Sequence, residues 1–150
     1  MKLSSNENPL GMSPLGANAA RNAIAEASIY PDGGAHELRD ALARVHGLSP
    51  DRFIVGNGSD EVMLLSAATF LEAGALTLMG AHTFSQYEFA TRLFGGVPRT
   101  VPMPDGRYPI AAIAEAVDAK TRIVFLCNPN NPTGRSFSHA ALQDLLQSRS

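Results

Sequence analysis

"ALTLMGAHTFSQYEFATRLFGGVPRTVPM", residues 75–103, sets the class of fold. Residues 75–79 are a short apolar run of strand type, residues 84–94 read as a helix, and residues 97–103 read as a strand weakened by its prolines. The same alternation extends outward from this unit. "RFIVGNG", 52–58, reads as a strand entering a glycine turn, and residues 60–72 read as a largely apolar helix. Downstream, residues 109–117 are helical, "RIVFLC" (122–127) is a strand, and Ser138 can cap a last helix. Strands alternating with helices imply a mainly parallel sheet covered on both faces, an α/β architecture of three layers, αβα.

The first third is organised differently. Residues 1–12 are irregular, and Ser13–Pro14 supplies an N-cap and first helical position. The helix that follows carries Leu15, Ala19, Ala23 and Ala27 on one side and stops before "YPDGG", 30–34. Leu38, Ala41, Leu42 and Val45 then mark a second helix, which Gly47 ends. The expected division is an arm and first helix over 1–30 and the main α/β portion over 31–150. The chain stops at Ser150 with no strand after the last helix, so a truncated domain is expected.

Bulk composition excludes several classes. Hydrophobic residues make up 45% and charged residues 17% of the 150 residues, an ordinary globular mixture. A formal net charge of −2 gives no electrostatic reason to expect nucleic acid. One cysteine, Cys127, cannot form an internal disulfide and suits a reducing cytoplasmic setting. The N-terminus has no signal-peptide pattern, and Glu72 and Gly74 break the apolar run 62–81, so no membrane span is expected.

Ligands of such sheets sit outside the carboxyl ends of the strands, and three loops leave the expected strands there, after Val55, Met79 and Cys127. In "GNGSDE", 56–61, two glycines lead into a helix start whose free N–H groups suit a phosphate. The same residues also suit a plain glycine turn with Ser59 as N-cap, and the residues alone leave both readings open. A dinucleotide fingerprint fails, because Glu61 occupies the place of its third glycine. "GAHTFSQYEF" places His82, Thr83 and Phe84 after the second strand, where an aromatic could stack on a flat ring or simply join the core. The four histidines show no metal spacing. In "NPNNPTG", 128–134, two prolines stiffen the loop beyond what a turn requires, and they fix an Asn131 amide that offers both donor and acceptor.

These segments, with "SSNENPLG" (4–11), "YPDGGAHELRDALA" (30–43) and "TFSQY" (83–87), together resemble the fold type I aminotransferases that use pyridoxal 5'-phosphate, nearest their histidinol-phosphate aminotransferase branch. The resemblance implies that residues 31–150 are the N-terminal part of a cofactor-binding large domain. It implies that Gly58, Ser59 and Asp60 bind the cofactor phosphate, Phe84 stacks on the pyridine ring, and Asn131 hydrogen-bonds the ring hydroxyl. Many relatives carry Tyr at the position of Phe84. Tyr30 would reach the phosphate of a partner subunit in a homodimer, and the "NENP" arm would lie near the substrate entrance. The implied reaction is amino transfer between L-histidinol phosphate and 2-oxoglutarate in histidine biosynthesis. Threonine-phosphate decarboxylase, another class I/II aminotransferase, and a non-catalytic phosphate-binding fragment are the alternatives. The family's Schiff-base lysine, its aspartate for the pyridine nitrogen and its substrate arginine fall beyond residue 150, so this chain alone is expected to be inactive. Of its two lysines, Lys2 lies in the arm. Lys120 precedes the strand 122–127, whose length of roughly 20 Å separates it from Asn131.

Overall fold

A computed structural model describes residues 6–148; Lys2 and the first residues of the "SSNENPLG" segment lie outside them. The chain divides into two compact units, residues 1–53 and 54–150. The sequence reading places its division after residue 30 instead; here Tyr30 and the second helix share the first unit.

In the first unit, α1 spans Pro14–Ala23, and Ser13 caps it by accepting from the Gly16 N–H at 3.0 Å. The expected single helix through Ala27 instead tightens into a 3-10 turn over Ile24–Glu26. Helix α2, His36–His46, ends on left-handed Gly47. Asp32 of the "YPDGG" turn organises its start, accepting from the N–H groups of Gly34 (2.9 Å) and His36 (2.8 Å).

The second unit contains α3 (Ser59–Phe70), β1 (Leu76–Gly80), α4 (Gln86–Leu93), β2 (Val97–Val101), α5 (Ile110–Ala116), β3 (Thr121–Val124) and α6 (His139–Gln147). The sheet is wholly parallel in the order β2-β1-β3. Central β1 is buried from Thr77 to Gly80, as a strand with two neighbours and two covered faces must be. Pro98 sits in β2, an edge strand, where a missing N–H does least harm. Stepping from β1 to β2 and then back across β1 to β3, right-handed crossovers put α4 and α5 on opposite faces. The packing agrees: α3 lies against α4, and α6 lies against α5.

One expected strand is absent. Residues 53–58 have no strand partner among the described residues, although Phe53 is extended at φ −115°, ψ 132°. A strand is defined by pairing, and a β-favouring sequence without a neighbour remains an extended segment. Ile54 is accordingly 76% exposed. The buried cluster Val101, Met103, Tyr108 and Ile113 fills the space between the sheet and α5. On the other face a Thr77–Thr91 hydroxyl contact of 2.9 Å joins β1 to α4.

Candidate functional site

Strand β1 is followed by α4 on one face, whereas its neighbour β3 is followed by α6, which packs with α5 on the other. Such a switch point opens a crevice at the carboxyl end of a parallel sheet. Here the Phe125 N–H still donates to the Leu78 carbonyl at 2.8 Å, but the next rung is replaced. The buried Tyr108 hydroxyl accepts from the Gly80 N–H at 3.1 Å and donates to the Phe125 carbonyl. A phenol between two strands holds them further apart than a direct backbone bond would. Gly80 permits it, since a Cβ there would fall 2.5 Å from Met103 Sδ and 3.2 Å from the Tyr108 ring. Burial pushes the Tyr108 phenol up, keeping it a neutral donor.

Loops 81–85 and 128–135 rise from the two sides of this crevice, and Asn130 fastens them together. Asn130 is 2% exposed. Its Oδ1 accepts from Thr83 Oγ1 at 2.7 Å, and its Nδ2 donates to the His82 carbonyl at 2.9 Å and to Thr133 Oγ1 at 3.0 Å. Asn131, next in sequence, is half-buried, and its side-chain amide makes no hydrogen bond to any described residue. Its N–H rests on Cys127 Sγ at 3.3 Å. Both X–Pro bonds of the loop, Asn128–Pro129 and Asn131–Pro132, are cis.

Phe84, also half-buried, meets Tyr87 edge-on, with ring centroids 5.8 Å apart and planes at 88°. Tyr87 in turn stacks on Phe125 at 4.5 Å and 12°. Burial first, then the neighbouring Cys127, pushes the Tyr87 phenol up, so it stays un-ionised. This aromatic series backs the Phe84 ring and leaves part of it exposed beside the crevice.

The "GNGSDE" segment enters α3 without a preceding paired strand. Gly58, not Ser59, is the N-cap, with φ 82° and ψ −177°, a conformation essentially closed to other residues. Ser59 is the first helical residue, its hydroxyl is unbonded, and the N–H groups of Ser59, Asp60 and Glu61 have no acceptor among the described residues. The capping reading of Ser59 is therefore incorrect; the helix start is left with free donors, the condition an anion requires. Glu61 folds back to accept from the N–H and Nδ2 of Asn57, which fixes the loop.

The structure thus fastens the loops of Phe84 and Asn131 together. No hydrogen bond or ring contact joins residues 58–60 to them among the described residues; α3 reaches the sheet by packing on β3. Tyr30 belongs to the first unit and is 97% exposed. The Lys120 carbonyl accepts from the Leu76 N–H at 2.9 Å, placing Lys120 at the amino ends of β1 and β3. Lys120 lines a cleft of about 380 Å³ there with Glu72, Gly74 and Arg122. No group of His, Cys, Asp and Glu among the described residues is placed to hold a metal, and no helix is long and apolar enough to cross a membrane.

The sequence alone does not mark Asn130, Tyr108 or Thr83 as parts of this site. Two adjacent asparagines between prolines were the available signal for Asn130. Nothing local marks Tyr108, whose partners lie 28 and 17 positions away.

Comparison with known proteins agrees with this geometry. The family model for aminotransferase class I and II matches residues 1–149. Histidinol-phosphate aminotransferase of Halalkalibacterium halodurans is 45% identical over 146 residues, covering 97% of this chain and 40% of that protein. The crystal structure of histidinol-phosphate aminotransferase from Sinorhizobium meliloti, in complex with pyridoxal-5'-phosphate, superposes with a TM-score of 0.91 at 29% identity. It covers 96% of this chain and 39% of that one. L-threonine-O-3-phosphate decarboxylase from Porphyromonas gingivalis superposes at 0.71 with 26% identity, over 87% of this chain and 40% of that one. The chain spans about two fifths of the length of these relatives. With a parallel αβα fold, a switch-point crevice and a family match along almost its whole length, the chain belongs to the class I and II aminotransferases.

Proposed function

We propose that this chain supplies the phosphate and ring contacts of a pyridoxal 5'-phosphate site, in a protein that moves an amino group between L-histidinol phosphate and 2-oxoglutarate. The observation that carries the reading is the Asn131 amide, unbonded among the described residues, on a loop that Asn130 ties to the Phe84 loop at the mouth of the β1–β3 crevice. Its neighbour Asn130 uses both amide hydrogens and its amide oxygen in bonds inside the protein, whereas Asn131 keeps its own for a ligand. The free N–H groups of Ser59, Asp60 and Glu61, with Gly58 shaping the entry, suit a phosphate. Phe84 offers an apolar face to the ring, and without a hydroxyl it adds stacking alone.

Bound there, pyridoxal phosphate supplies the electron sink for carbanion chemistry. This chain's residues hold and orient: α3 binds the phosphate dianion, Phe84 fixes the ring plane, and Asn131 donates to the ring oxygen. Lys120 faces the opposite end of the strands, so the anchoring lysine is proposed to come from sequence beyond residue 150. Tyr30 is proposed to serve the partner's phosphate in a cytoplasmic homodimer.

The 45% identity to the Halalkalibacterium halodurans histidinol-phosphate enzyme, against 26% to the threonine-phosphate decarboxylase, supports that substrate over threonine phosphate. The test is to express the complete reading frame and assay it with L-histidinol phosphate and 2-oxoglutarate. Formation of glutamate is expected. Inertness toward that pair, with carbon dioxide released from threonine phosphate, would transfer the assignment to the decarboxylase.

A further inference from the structure

We infer that Thr83 and Asn130 form a clamp that sets the separation of Phe84 and Asn131, which makes both of them positioning residues for the cofactor ring. The inference rests on the proposed cofactor reading. Thr83 immediately precedes Phe84, and Asn130 immediately precedes Asn131, so the 2.7 Å bond between them joins the two ligand-facing positions at their roots. The second tie, from Asn130 Nδ2 to the His82 carbonyl, prevents rotation about the first.

Asn130 also closes its own loop. Its N–H donates to the Arg135 carbonyl at 2.8 Å, and its carbonyl accepts from the Gly134 N–H at 2.7 Å. Thr133 Oγ1, which accepts from Asn130, donates onward to the Gly106 carbonyl at 2.9 Å. His82, Thr83 and Thr133 therefore meet at one buried carboxamide, and Thr133 carries the tie on to Gly106. A ring held between a stacking face and one hydrogen bond tolerates little displacement, on the order of 0.5 Å. Phe84 and Asn131 lie on loops, which do not hold such tolerances unaided, and the clamp supplies the missing rigidity.

The test uses the protein from the complete reading frame and four forms: unsubstituted, Thr83→Val, Thr83→Ser and Asn130→Ala. Valine keeps the shape of threonine and removes the donor; serine keeps the hydroxyl. In cofactor-free protein, amide exchange at Gly134 and Asn131 should quicken by about tenfold in Thr83→Val and Asn130→Ala, with β1 and α5 unchanged. Pyridoxal phosphate affinity should fall by about tenfold with a shifted visible band of the bound cofactor, while inorganic phosphate affinity stays constant. Thr83→Ser should restore both. Unchanged exchange and unchanged cofactor binding in Thr83→Val would overturn the clamp. Parallel loss of phosphate binding with general quickening of exchange would also overturn it, as a purely structural effect. Failure of the unsubstituted protein to bind pyridoxal phosphate would instead overturn the cofactor reading and the positioning role with it, and the exchange data would still report separately on the Thr83–Asn130 bond.

Discussion

Asn130 and Asn131 are the same residue type in the same proline-bounded loop, yet one is locked and the other free. Residue type made Asn131 legible as a ligand group, but not the role of its neighbour, which depends on Thr83 47 positions earlier. Gly58 was legible for a different reason, because its backbone needs conformations other residues avoid. Gly58→Ala should destabilise the loop by about 1–3 kcal/mol and weaken phosphate binding, since φ 82° with ψ −177° strains any side chain. Isothermal titration with inorganic phosphate alongside thermal unfolding checks both effects. Asp32 provides a pH signature in the first unit. The His36 N–H, then the His36 ring and the Gly34 N–H, lower its carboxyl from 3.8 to about 2. A carboxyl depressed in the folded state stabilises above its ordinary value and loses that contribution as pH falls through its folded value. The α2 start should therefore hold down to pH near 3.8 and loosen toward about 2, and Asp32→Asn should abolish the dependence. Carboxyl carbon NMR titration reads it directly.

At the scale of elements, helices and strands were read well where periodicity and caps are local. Ser13 and Ser138 cap as expected, each accepting an N–H three residues on. The strand expected at residues 52–55 failed because pairing is not a local property, and an apolar β-favouring run cannot reveal whether a neighbour exists. The same limit hid the Tyr108 bridge, a rung of the β1–β3 ladder supplied by a side chain from before α5. Tyr108→Phe keeps the ring and orphans the Gly80 N–H and the Phe125 carbonyl. The expected loss is about 1–3 kcal/mol for each group left buried and unsatisfied. Denaturant unfolding measures it, and a loss well under 1 kcal/mol would show that the strands close up to pair directly.

At the scale of the molecule, the αβα class was legible from alternation alone, while the assembly was not. Helix α1 buries no residue; Leu15 is 83% exposed, and Ile24, Ile29 and Tyr30 in the turns after it are 72%, 69% and 97% exposed. A short helix gains most of its stability from packing its apolar face, and these residues leave that face uncovered in the first unit. The homodimer reading predicts that the complete protein runs as a dimer in light scattering and that Tyr30→Ala weakens its cofactor binding; an active monomer would reject it. Pyridoxal 5'-phosphate is proposed to sit at the carboxyl end of the sheet and the start of α3. Amide shift mapping during titration with pyridoxal 5'-phosphate tests it most directly. With this chain alone, shifts are expected to concentrate at residues 58–61 and to be reproduced by inorganic phosphate. Shifts concentrated instead at Gly74, Lys120 and Arg122, around the cleft at the amino ends of β1 and β3, would contradict it.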